Sequence, residues 1–183
     1  GLRTRSIGLG GDSVVRCEGG KILVGPEREG PAAALGGPYP TPTDAMIVLN
    51  RTTIGDPALA AAALAPLAGQ MGLSVTETAQ RIFTAACDKI AAAVCSFIEE
   101  INNEPVYTIH EMLAGKKIVP KLLHVVGGPA AAMADSLGER LGCRAFIPEH
   151  AEVANAVGAA LARTTAEITI LADKERRLLT IGE

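Results

Sequence analysis

The sequence contains no tryptophan, and only two tyrosines and three phenylalanines among 183 residues. A chain so poor in rings offers no platform for stacking nucleobases, which argues against single-strand nucleic-acid binding. A basic excess is missing too. Seventeen Lys and Arg stand against twenty Asp and Glu, a formal charge of −3, where a nucleic-acid protein would carry a positive stripe. The four cysteines, Cys17, Cys87, Cys95 and Cys143, make no Cys-x-x-Cys pair. They are expected as reduced structural thiols, with no metal site. His110, His124 and His150 show no ligand spacing, and no serine or cysteine nucleophile motif occurs. Long hydrophobic runs are lacking as well. The charge-free stretch 57–76 is broken by Pro66, Gly69 and Gly72, and its large apolar residues Leu59, Leu64, Leu67 and Met71 fall mainly on one helical face. That is the pattern of an amphipathic helix rather than a membrane span. With no secretory apolar region at the start, the expectation is a cytoplasmic protein that meets neither membrane nor nucleic acid.

Apolar residues make up 48% of the chain and charged residues 20%, enough to bury a core. Residues 13–17 and 21–24 flank Glu18-Gly19-Gly20 and predict a β-hairpin. Five prolines and four glycines between residues 25 and 43 predict a long irregular loop. A short helix is expected over 44–49, started by Thr43. Asp56-Pro57 predicts a helix to about residue 68. Ser74-Val75-Thr76-Glu77 is a capping box for a long helix to about residue 101, whose apolar face runs through Ala79, Ile82, Phe83, Ala86, Ile90, Val94, Phe97, Ile98 and Ile101. A helix over 108–114 closes this helical segment, residues 56–115. The rhythm then changes. A buried strand is expected over 122–126, a helix to Leu141 ended by Gly142, a strand over 144–147 and a helix over 151–163. Two terminal strands follow around Ile168–Ala172 and Leu178–Ile181, split by the charged residues 173–176. Alternating strands and helices make this an α/β chain.

Four places could carry chemistry. Ile7-Gly8-Leu9-Gly10-Gly11-Asp12-Ser13 either places backbone N–H groups around an anion or is a tight turn; it is neither a Rossmann fingerprint nor a P-loop. Val125-Val126-Gly127-Gly128-Pro129-Ala130 lies at a strand-to-helix junction, where glycines let a ligand approach the main chain; a plain βα turn is the other reading. Ala154 and Gly158, four apart, allow close helix approach, as in a hinge or an ordinary Ala-rich helix, and Asn155 is the polar member of that run. Asp44 after Thr41-Pro42-Thr43 could be a general base, a cation ligand or a helix-start residue.

In combination these segments resemble a known family. SIGLGGDS (6–13), VGPE (24–27), GGPYPTPTDAMIVLN (36–50), NNEPVYTIHEML (102–113), VVGGPAAAMA (125–134) and VANAVGAALAR (153–163) appear in the order and spacing of the hydantoinase/oxoprolinase family, in its A-type, hydantoin-utilisation form. The resemblance runs from about residue 3 to residue 179. It implies a ribonuclease-H-like lobe of the actin-like ATPase group, residues 1–183, with a mixed sheet, flanking helices and a helical insertion. It also implies ATP and Mg²⁺, and opening of a cyclic amide or imide after phosphorylation of its ring carbonyl. Gly127 and Gly128 then fall in the adenosine motif, and the Ala154–Gly158 helix in a connecting motif between lobes. The candidate cofactor-binding set is Gly10, Gly11, Ser13, Gly127, Gly128, Asn155 and Gly158; the candidate catalytic carboxylates are Asp44 and Asp12. The family's two phosphate-binding hairpins do not appear in these residues, which implies that an upstream half of the same protein, or a partner subunit, holds most of the nucleotide. An oligomer is compatible with this. The alternatives are a subunit of an ATP-dependent ketone carboxylase and a non-catalytic nucleotide-sensing module. Two departures stand out. Asp12 replaces a glycine of the family's GAGGGS, and would repel phosphate without a cation or basic group beside it. Residues 27–30 read Glu-Arg-Glu-Gly where relatives carry a Ser-Ala-Gly-Ala loop.

Overall fold

The computed structural model describes residues 3–103, 117–162, 169–173 and 178–182. Strands β1 (Val15–Glu18) and β2 (Lys21–Val24) form the expected antiparallel hairpin, with Glu18 opposite Lys21. Its two-residue turn has Gly19 at φ 56° and Gly20 at φ 76°. Both are left-handed, the combination that matches strand twist and that glycine adopts without a Cβ penalty.

Helix α1 (Pro42–Val48) starts two residues before its expected position. Pro42 has no N–H to lose and suits the first helical turn, so Thr41 becomes the cap. The Thr41 hydroxyl accepts from the Asp44 N–H at 3.4 Å, and the Asp44 carboxylate accepts from the Thr41 N–H at 2.9 Å. This helix is the hub of the molecule. Its successive residues Ala45, Met46 and Ile47 enter three separate apolar clusters.

Helix α2 (Pro57–Met71) begins at Asp56, whose carboxylate accepts the Ala58 N–H at 2.8 Å, and ends at Gly72 with φ 65°. Helix α3 (Val75–Asn102) starts at the Ser74–Glu77 capping box and is about 42 Å long at 1.5 Å per residue. Its Ala79 and Ile82 pack with Val15, Val24, Leu64 and Leu67. Phe83, Ala86 and Cys87 pack instead on Ala132, Met133 and Leu137 of helix α4 (Ala130–Leu141). Beyond Ala91 the apolar face is only partly covered, with Val94, Phe97 and Ile98 half-buried.

Helix α4 is the crossover between β3 (Leu122–His124) and β4 (Arg144–Phe146), which pair in parallel. A Cβ on Gly138 would lie 2.9 Å from the Cys143 carbonyl oxygen, so glycine is what lets α4 approach β4. The strand expected over 122–126 is shorter and not buried: Leu122 is 48% and Val126 53% exposed. Among the described residues β3 has one neighbouring strand, β4. A 3₁₀ turn (Ala151–Val153) leads into α5 (Ala154–Leu161), and β5 (Thr169–Asp173) pairs antiparallel with β6 (Leu178–Gly182).

Among the described residues the strands make three separate two-stranded sheets. The mixed α/β class holds, but the single mixed sheet implied by the resemblance is not formed by these residues. The helix read over 108–114, with His110, and most of the charged break at 173–176 lie outside the described residues. No single described helix is long and apolar enough to cross a membrane.

Candidate functional site

The glycine segment of residues 8–13 folds into a turn that the rest of the chain fixes at several points. The Ser13 N–H donates to the Gly10 carbonyl at 3.2 Å, and the Gly10 N–H donates to Ser13 Oγ at 2.8 Å. Ser13 is fully buried, so its hydroxyl braces the turn from inside. The Gly11 carbonyl accepts from both the N–H (3.0 Å) and the hydroxyl (2.8 Å) of Thr43 on α1. From α3, Lys89 Nζ donates to the Gly8 carbonyl at 3.1 Å and the Val24 carbonyl at 2.8 Å. One ammonium thus ties the turn to the hairpin.

Asp12 faces outward and pairs with the Arg28 guanidinium at 2.8 Å. A Cβ on Gly10 would collide with that guanidinium. The basic group beside Asp12 is therefore Arg28. The two departures from the family pattern, at residue 12 and in residues 27–30, touch each other.

Asp44 is placed differently from its expectation as a catalytic carboxylate. It is fully buried. Its carboxylate accepts from the Ala33 N–H (3.1 Å), the Ala34 N–H (2.8 Å), the Thr41 N–H (2.9 Å) and the Thr41 hydroxyl (2.9 Å). All four bonds hold the proline-rich loop onto the start of α1. A base or cation ligand needs a lone pair open to a ligand; Oδ2 is fully taken by three of these bonds, and Oδ1, which accepts one, is buried with the rest of the residue.

The second glycine turn lies between β3 and α4. The Gly127 N–H donates to the Ala151 carbonyl at 2.7 Å, and the Ala130 N–H closes the turn onto the Gly127 carbonyl at 3.0 Å. Gly127 has φ 105°, which requires glycine, whereas an added Cβ at Gly128 meets nothing within 4 Å. A ligand therefore has open access to the Gly128 backbone. Gly10 and Gly11 of the first turn and Pro129, which follows the second, line one small cavity of about 130 Å³ floored by Met46, Ile90 and Met133; Gly127 and Gly128 are not among its lining residues. At about 30 Å³ per water, that is room for roughly four waters, too little for a nucleotide.

Asn155 and Gly158 stand apart from this cavity. They lie on α5, which has no buried residue, and a Cβ at Gly158 meets nothing within 4 Å. The close helix packing expected at Ala154–Gly158 is not made among the described residues; the 3₁₀ turn before the helix is tied to the second glycine turn by the Gly127–Ala151 bond.

Several cations that the sequence did not single out shape the site. Besides Arg28 and Lys89, Arg51 donates to the Ala132 carbonyl at 3.3 Å and lies 4.2 Å from the Phe83 ring centroid. Arg140 pairs with Asp88 at 2.6 Å, and that hydrogen bond holds its pKa above the usual value. Each is a lone cation beside an apolar stripe, which carries no motif. Among the described residues no group of three His, Cys, Asp or Glu could hold a metal ion.

None of the curated proteins compared matches the chain. The model of the Hydantoinase/oxoprolinase family matches residues 1–168, a span that contains both glycine turns, the hub helix, the long helix α3 and the exposed α5. Over that length the match covers most of the chain, and the protein belongs to the hydantoinase/oxoprolinase family.

Proposed function

We propose that this chain forms one wall of the active site of an ATP-dependent hydrolase of cyclic amides or imides. The family match over residues 1–168 carries the reading. A cavity that Gly10 and Gly11 share with Pro129 of the strand-to-helix junction, next in sequence to the open Gly128, supports it, since exposed backbone at such a junction suits close approach of a ligand. When bound, ATP would supply the phosphoryl group that activates the ring carbonyl toward water.

The part assigned to this chain is binding and positioning. The turn at Gly127 and Gly128 offers the adenosine side an unobstructed backbone surface. The turn at Gly10–Ser13, fixed by Thr43 and Lys89, sets the opposite rim. As the family resemblance implies, this reading assigns Mg²⁺ and most phosphate contacts to groups outside the described residues. No catalytic step is assigned to Asp44, whose bonds tie down the loop. The deciding experiment is ATP hydrolysis by the natural protein that contains this chain, with hydantoin, 5-oxoproline or other lactams and imides added. Stimulation by one of them is expected; a basal rate that none of them changes would exclude the reading.

A further inference from the structure

The Arg28 guanidinium of the Asp12–Arg28 pair lies against Gly10 of the glycine turn, which Ser13, Thr43 and Lys89 also hold. We propose that this turn is an oxyanion site in which the Arg28 guanidinium reads the ligand and Asp12 is its displaceable counter-ion; the ligand class is a phosphoryl or carboxylate group. This goes beyond the function proposed above, which names no residue for an anion, and it does not depend on which reaction the protein performs.

Four observations lead there. First, Gly10 has no Cβ, and this absence alone lets the guanidinium lie against the turn. Second, the neighbouring carboxylates are engaged elsewhere: Glu27 and Glu29 both pair with Arg16, at 3.3 and 3.5 Å. Among the described residues Arg28 makes one polar contact, Nη2 to Asp12 Oδ1 at 2.8 Å. A guanidinium has five N–H donors in a fork that fits an oxyanion with two parallel bonds, so most of its capacity is open. Third, the Gly11 and Asp12 N–H groups take no protein acceptor among the described residues, which leaves main-chain donors on the same turn. Fourth, Asp12 can leave without disturbing the turn, because Ser13, Thr43 and Lys89 hold it. The side chains of Arg28 and Asp12 are 57% and 42% exposed. An ion pair so exposed is weak, and a bidentate oxyanion competes with a one-contact carboxylate for the same fork.

The test is a titration of the full chain with sodium phosphate or sodium acetate, followed through the backbone amide signals of Gly10, Gly11 and Asp12, with sodium chloride matching the ionic strength. Asp12→Asn should bind about fivefold tighter than the parent, the factor set by loss of one exposed ion pair. Arg28→Ala should bind at least about tenfold more weakly, and Arg28→Lys should fall between, since an ammonium keeps the charge but not the fork. Tighter phosphate than acetate assigns the site to a phosphoryl group; the reverse assigns it to a carboxylate. Should Arg28→Ala melt early, Asp12→Asn decides alone, because misfolding cannot tighten binding. The proposal is overturned if Asp12→Asn binds no tighter than the parent, if a well-folded Arg28→Ala keeps the parent's affinity, or if chloride shifts the same amides equally. The ATP-hydrolysis assay can fail while this titration succeeds, so the two readings fall separately.

Discussion

Replacing Asp44 separates two roles that a carboxylate in this family could have. In Asp44→Ala, three backbone N–H groups and one hydroxyl lose their acceptor, and the bonds from Ala34 and Thr41 are buried. A buried donor left unpaired costs about 1–3 kcal/mol. The Ala33 bond is only part-buried and can turn to water, and the loop relaxes, so the sum falls short of four full penalties. An overall loss of about 4 kcal/mol is expected, among the larger effects of a single substitution. For a chain of this size about 2–4 °C of melting temperature goes with each kcal/mol, so the midpoint should fall by roughly 8–16 °C.

Asp44→Asn is the sharper variant. Oδ2 now accepts three bonds and Oδ1 one. An amide can put its oxygen at the first position only by pointing its NH₂ at the Ala34 N–H, donor against donor. A loss of about 2–3 kcal/mol should follow. The assay is thermal and urea denaturation of the parent and both variants. A catalytic carboxylate predicts the opposite pattern, an Asn variant that melts with the parent and does not turn over. If Asp44→Asn melts within about 1 °C of the parent, the structural assignment is wrong.

Gly127→Ala forces an L side chain to φ 105° and should cost about 1–3 kcal/mol, whereas Gly128→Ala, with open space around it, should stay within about 0.5 kcal/mol; denaturation of the two side by side checks this. Glu77 is held below its ordinary value of 4.5 by its side-chain and then its backbone hydrogen bond with Ser74. A depressed carboxylate stabilises fully above the ordinary value and loses that contribution as pH falls through the lowered one, so the melting difference between parent and Ser74→Ala should be present at pH 7 and shrink below about pH 4. A difference independent of pH would show that the carboxylate is not involved. Burial pushes the Cys87 thiol up, and Cys95 is exposed. Iodoacetamide at pH 8 should therefore label Cys95 in the native chain and Cys87 only after unfolding, as peptide mass mapping would report; equal rates would contradict the packing of α3 on α4.

What could be read from the sequence is what short segments determine by themselves. Asp56-Pro57, Ser74 to Glu77, Gly142 and the Glu18-Gly19-Gly20 turn each satisfy or release a backbone group within four residues, so their signals are local. The family resemblance was legible for a related reason, as an ordered set of such segments. The role of Asp44 was not, because two of its four donors belong to a loop ten and eleven residues earlier. Arg28 is sixteen residues from Asp12, and Lys89 is 81 from Gly8. No periodicity predicts contacts of that kind. The strands of residues 122–126 and 144–147 were legible as extended chain, but an apolar run says nothing of how many strands will flank it, and among the described residues the answer is one.

The contacts hidden from the sequence also explain how the first glycine turn and the start of α4 come to line one cavity. On α3, neighbouring residues point about 100° apart, and Asp88 and Lys89 use that angle. Lys89 reaches the Gly8 and Val24 carbonyls on the side of the first turn. Asp88 reaches Arg140 of α4, the helix that begins at the second turn. On the side of α3 away from that angle, the face formed by Phe83, Ala86 and Cys87 packs on Met133 and Leu137, and Ile90 lines the cavity itself. The separation of the turns is therefore set by the breadth of one helix.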